Sequence, residues 1–120
     1  MRLFKKENIK AFSAPKGEVI IQYVGRLEKN GGSLNHSLAI MKLLPNASSD
    51  THCHEIAEEC FLFLQGSGLM EVNGEKFEVS AGDCVLVHPG EQHTVTNLGN
   101  EVLECVITTS PAWQPTDSIK

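Results

Sequence analysis

Residues 69–79 read LMEVNGEKFEV, two short alternating runs joined by Asn73-Gly74. A two-residue Asn-Gly loop supplies the positive φ angles of a type I′ turn, so this stretch predicts a β-hairpin. Outward from it, the same period-two patterning with turn punctuation runs from about residue 18 to residue 109, and no 11-residue window carries a helical stripe. Strands are expected at 18–23, 37–44, 51–54, 59–65, 69–72, 75–79, 84–87, 93–97 and 102–109. That many short strands in 120 residues cannot lie in one open sheet without leaving long exposed edges; a barrel or sandwich covers them. The fold class is all-β. Residues 1–17 read as an N-terminal arm, 18–110 as the barrel domain and 111–120 as a C-terminal tail, in which Pro111 and Pro115 end ladder pairing and Trp113 pins the chain to the barrel. Residues 25–35, rich in Gly and Asn, are expected to form a mobile loop.

The chain carries 10 Lys plus Arg against 15 Asp plus Glu, a formal net charge of −5. A nucleic-acid partner needs a basic face to displace counterions, and this balance argues against one. No apolar run of 18 residues offers a membrane span, and the opening MRLFKKENIK does not read as a secretory signal, so the expected location is the cytoplasm. Cys53, Cys60, Cys84 and Cys105 lie in strand-like runs without a CxxC spacing and are expected to be reduced, mostly buried thiols.

His52-Cys53-His54 places two imidazoles at i and i+2, which a strand directs to the same face. Five residues on, Glu59 opens a strand whose Phe61 and Phe63 share its face, and His93 starts another with Val95 and Asn97 on its own face. Three neutral imidazoles and a carboxylate form a mixed nitrogen and oxygen set that suits one divalent transition metal ion, Zn, Fe, Mn, Ni, Cu or Co, better than Ca or Mg. Taken singly, an HxH pair is a weak signal, and Glu59 or its neighbour Glu58 alone reads as a solvated charge. Only the joint arrangement carries weight.

That joint arrangement resembles the two motifs of the cupin superfamily. His52-Cys53-His54, four residues, Glu59, six residues and Gly66 match the first motif from its histidines onward, and the spacing to Gly66 selects Glu59 over Glu58. The opening glycine of that motif is absent, with Asn46 near its place. Gly82, five residues, His88-Pro89-Gly90, two residues, His93, three residues and Asn97 match the second motif at every spacing, with His88 where the family has proline. The match runs from about residue 34 to residue 113 and is similar to small single-domain (type 2) bacterial cupins.

The resemblance implies a single jelly-roll, or double-stranded β-helix, barrel, a homodimer, and a metal held by His52, His54, Glu59 and His93. Family members include dioxygenases, sugar isomerases and epimerases, decarboxylases, lyases and non-catalytic binding domains, and the fold does not choose among them. The first expectation is a metal-dependent enzyme on a small oxygen-bearing metabolite, dioxygenase-like first and isomerase-like second, with Glu59 and His88 as candidate proton-transfer residues. The plainer reading of His88 is a rim residue of an exposed turn. The alternative is a metal and small-ligand binding or sensory module. Polar convergence of His88, Gln92, Asn97 and Glu104 on the centre would favour catalysis, and an apolar slot of Phe61, Phe63, Met41 and Leu103 would favour binding. By parity, Glu104 faces away from the interior while Leu103, Cys105 and Ile107 face inward.

Overall fold

The structure is a computed structural model and describes residues 1–119. Its strands are β1 (Phe12–Ser13), β2 (Glu18–Val24), β3 (Ser37–Leu43), β4 (Cys53–His54), β5 (Glu58–Gln65), β6 (Ser67–Val72), β7 (Glu75–Ser80), β8 (Cys84–Val87), β9 (His93–Thr96), β10 (Leu103–Ser110) and β11 (Ser118–Ile119). One sheet runs β1-β2-β3-β10-β5-β8, a second β7-β6-β9, and β11 pairs with β4. All named pairs are antiparallel, and the His52–His93 and Ser48–Thr96 bridges join the loop after β3 to β9. Two facing sheets with long-range antiparallel pairing make the jelly roll. The β6–β7 hairpin turns at Asn73 and Gly74 with φ of 49° and 84°, as the Asn-Gly pair requires. At Gly66, φ is +83° and an added Cβ would lie 2.7 Å from the carbonyl oxygen of Val102, so the close passage of β5 into β6 admits only glycine.

The strands divide along their length. At one end Leu43, Phe63, Met70, Val95, Leu103 and Cys105, none more than 1% exposed, interlock with Val79 and Val87 into a closed floor. At the other end the same strands present Ser37, Ala39, Met41, Glu59, Phe61, His93, Ile107 and Thr109 to an open cavity. The inward parity of Leu103, Cys105 and Ile107 is as expected, and Glu104 faces out beside Lys42 Nζ at 3.8 Å. Asn97 belongs to the floor: its Nδ2 donates to the carbonyls of Leu43 and Glu101 at 2.8 and 2.7 Å and its Oδ1 accepts from Gly99 N–H, clamping the β9–β10 connection.

Four expectations are corrected. Pairing does not stop at the prolines, because a 3-10 turn at Pro115–Asp117 redirects the chain and β11 pairs with β4. Trp113 is 43% exposed, and although its N–H donates to Ser37 Oγ, the tail is docked chiefly by buried Asp117, whose carboxylate accepts the Ile56 and Ala57 N–H groups at 2.8 and 3.1 Å. Of the cysteines only Cys105 is buried; Cys53 and Cys60 are half-buried and Cys84 is exposed, all free thiols. The segment 25–35 folds back through a 3-10 turn at Glu28–Asn30 and a Gly25–Gly31 bridge, with Asn30 buried and bonded to the Gln22 carbonyl. Replacing Asp117 with alanine strands two backbone donors beside the metal-motif strand; a loss of about 1–3 kcal/mol in chemical denaturation is the expected outcome, and an unchanged midpoint would show that the tail is not held this way.

Candidate metal centre

β4 is only two residues long, but the His52–His93 bridge extends its alignment and brings both histidines against β9. His52 and His54 thus face one side, His93 enters from β9, and Glu59 enters from β5. One donor atom from each of these four lies within 4.8 Å of the others, three of the residues being buried and His52 half-buried. The other two histidines, His36 and His88, are exposed. His88 lies on the turn before Pro89, its N–H bonded to Glu91 Oε1, and does not line the cavity.

Two of the three imidazoles are oriented from behind. His52 Nδ1 lies 2.9 Å from the Asp50 carbonyl and His93 Nδ1 3.0 Å from the Glu91 carbonyl, contacts that place a ring proton on Nδ1 and turn Nε2 inward. His54 Nε2 and His93 Nε2 approach Glu59 Oε1 at 3.1 and 3.2 Å. The other carboxylate oxygen, Oε2, accepts from Thr109 Oγ1 at 2.7 Å, which fixes the carboxylate plane. Both ring nitrogens of His54 are buried without a hydrogen bond of good geometry, although Nδ1 lies 4.0 Å from Asp117 Oδ2. A buried imidazole with an orphaned nitrogen, aimed with two other imidazoles at a shared carboxylate oxygen, is a donor set that a divalent cation would satisfy.

The electrostatics agree. Burial works to raise the Glu59 pKa, yet contacts with His54 and His93 and the Thr109 hydroxyl outweigh it and hold the carboxyl well below its usual range. Burial lowers the His52 pKa, with the Asp50 carbonyl opposing it and the neighbouring imidazoles of His93 and His54 adding to it. For His54, burial pulls downward but Glu59 and then Asp117 prevail, and its pKa is raised.

The centre opens into a cavity of about 270 Å³. Its wall is neither of the alternatives expected from the sequence. Met41 and Phe61 line it, with Ile20, Ile107 and, at the mouth, exposed Phe12 and Trp113, whereas Phe63 and Leu103 lie in the floor. Gln92 and His88 are exposed elsewhere, Asn97 is structural and Glu104 faces out. The polar lining comes instead from Glu18, Gln22, Ser37, Ser49, Asp50, Thr109 and Ser118, and no Lys or Arg is among the lining residues. Alternate residues of β2, Glu18, Ile20 and Gln22, form one side of this wall. That face is hard to read from EVIIQYV, which is apolar on both sides and ambiguous in parity.

Comparison with known proteins places this geometry. Residues 39–109 match the Cupin domain family. The chain is 35% identical over 99 residues to the oxalate-binding protein of Thermotoga maritima, covering 82% of this chain and 80% of that protein. An uncharacterized protein of Methanocaldococcus jannaschii is 29% identical over 120 residues, 98% of this chain and 94% of its own. In fold, the chain superposes on KdgF from Halomonas sp. with a TM-score of 0.80 at 18% identity, covering 97% of this chain and 98% of that one. It superposes on the Streptomyces nucleoside dehydratase Pac13, solved with uridine, with a TM-score of 0.81 at 16% identity, covering 98% of this chain and 88% of that one. The jelly roll and the matched family thus agree with the two motifs read from the sequence, and this chain belongs to the cupin family.

Proposed function

We propose that His52, His54, Glu59 and His93 hold one divalent transition metal, and that the cavity beside it binds a small oxygen-bearing metabolite and activates it in a metal-dependent reaction of the oxidoreductase or isomerase kind. The observation that carries this reading is the convergence of four donor atoms within 4.8 Å, including the otherwise unpartnered nitrogens of buried His54. When bound, such a metal supplies Lewis acidity to a ligand oxygen at positions the four protein donors leave open. The chain's own residues do the rest. The Asp50 and Glu91 carbonyls hold the His52 and His93 tautomers, Thr109 holds Glu59, and the apolar wall of Met41, Phe61 and Ile107 limits water. Glu59, kept ionised by the imidazoles and Thr109, is the anionic donor of the set. His88, outside the cavity lining, has no part in this arrangement. A second reading, binding without turnover, draws on the 35% identity to a protein named for oxalate binding.

Two further features belong to the reading. The outward face of the large sheet carries an apolar row across five strands, Ile21, Ile40, Val106, Leu62 and Cys84 in register, flanked by Leu64 and Leu86, each 47% exposed. A sheet face of this kind suits burial against a second copy of the chain as a homodimer. The free thiols accord with a cytoplasmic location, and among the described residues no helix is long and apolar enough to cross a membrane.

Metal titration of the purified protein tests the centre. One ion per chain is expected, lost in His52→Ala and His93→Ala. Ligation needs neutral imidazoles and the raised pKa of His54 carries proton competition toward higher pH, so affinity rises with pH and weakens, by about tenfold per pH unit where one proton is exchanged, as His54 becomes protonated. Calorimetric enthalpies in buffers of different ionisation heat should differ; identical enthalpies would remove His54 from the ligand set. For the ligand, thermal unfolding of the loaded protein with small carboxylate and hydroxyl chelators should show stabilisation that the metal-free protein lacks; no shift with any of them would end the functional reading. For the dimer, Leu62→Glu should move the protein from dimer to monomer in sedimentation, and a monomeric wild type would dispose of the interface.

A further inference from the structure

Glu18 is the odd residue of the cavity. It lies at the start of β2, opposite Leu43 on β3, with its strand neighbours in parity, Ile20 and Gln22, on the same wall. Its side chain is half-buried and has no hydrogen bond or ion pair among the described residues. The charged and titratable groups that bear on it are Asp50 from the loop, Glu59 from β5 and the thiol of Cys105 from β10, while the nearby Lys16 ammonium lies 3.3 Å from Asp50 Oδ1. Burial first, then Asp50 and Glu59, raise its pKa. A carboxyl kept in a partly dry wall, with two other carboxylates bearing on it and no cation paired to it, works against folding stability. The other polar lining groups are largely engaged: Thr109 with Glu59, Ser37 with the Trp113 N–H, and the Gln22 amide with the carbonyls of Val24 and Leu38. Glu18 is the acid that the protein leaves uncommitted.

We propose that Glu18 is the specificity-determining residue of the cavity, receiving a hydroxyl of the bound ligand, and that the ligand class is therefore a small hydroxylated acid or polyol that chelates through oxygen, in preference to a bare dianion such as oxalate. The inference rests on the metal and ligand reading above. Three acids, Glu18, Asp50 and Glu59, and no Lys or Arg line the cavity. A cation at the His and Glu set offsets one of these charges with one to spare, which leaves little to hold a second negative charge on the ligand. A hydroxyl group, by contrast, donates to an ionised Glu18 and both donates to and accepts from a protonated one.

The test uses full-length protein loaded with one metal, and Trp113, the single tryptophan, reports binding because it lines the cavity. Glycerate and threonate are compared with lactate and 2-hydroxybutanoate, matched chains that lack the distal hydroxyls, and with oxalate. Wild type should bind a distally hydroxylated acid about tenfold more tightly than its matched analogue, the worth of one hydrogen bond to a charged group. Glu18→Leu should erase that ratio and bind oxalate more tightly, while Glu18→Gln, whose amide oxygen still accepts, should keep part of it. Metal content should be the same in all three proteins. A ratio near one in wild type, or one unchanged by Glu18→Leu with the protein folded and loaded, overturns the role of Glu18 and leaves the metal-chelate reading standing. Failure of every chelator to bind loaded wild type brings down both.

Discussion

The interior of this protein depends on how the Glu59 carboxylate is held. One oxygen is tied to Thr109 and the other is shared, at 3.1 and 3.2 Å, between two imidazole nitrogens. In the dry wall of a barrel a carboxylate costs several kcal/mol unless compensated, and here the compensation comes from two rings, His93 oriented by the Glu91 carbonyl and His54 beside Asp117. Move any strand and the compensation is lost: Glu59 comes from β5, His93 from β9, Thr109 from β10 and the histidine pair from β4 and its preceding loop. The site is thereby a fold-level constraint, since the antiparallel register of β5 with β10, which pairs Glu59 with Thr109, is the register that points the acid at the imidazoles.

Asp117 extends the same network outward. Its carboxylate closes the β4–β5 turn through the Ile56 and Ala57 N–H groups and stands 4.0 Å from His54 Nδ1. The tail that carries it is paired to β4 through Ser118 and Ile119. A residue far along the chain therefore influences both the shape of the histidine strand and the basicity of one of its rings, in the manner of the outer contacts that orient metal-binding imidazoles elsewhere.

Much of this was legible beforehand, for identifiable reasons. The strands between residues 18 and 109 announce themselves by alternation, and the pairings of Asn73-Gly74 and Gly66 with positive φ are dictated by backbone sterics. The His52 and His54 pair was readable because spacing converts to facing in a strand, whereas Glu59 and His93 joined it through the resemblance to the two cupin motifs. Other features were silent. β1 and β11 are two residues each, too short to show a period. Asp117 sits in a polar tail where an acid reads as solvated, and its burial follows from two backbone donors about sixty positions away. Glu18 opens a strand apolar on both faces, so nothing local tells which way it turns. His88 was visible for the opposite reason, standing in a motif position, yet the turn carries it to the outside.

The lengthwise division of the strands has an evolutionary corollary. Because each of β3, β5, β9 and β10 contributes to the closed floor at one end and to the cavity at the other, folding strength and chemical identity are written in different letters of the same segments. Drift at Gln22, Ser37, Ala39 or Ile107 can reshape what the barrel accepts while Leu43, Phe63 and Leu103 keep it standing. Such a scaffold can change occupation through successive small replacements at its open end without passing through an unfolded ancestor.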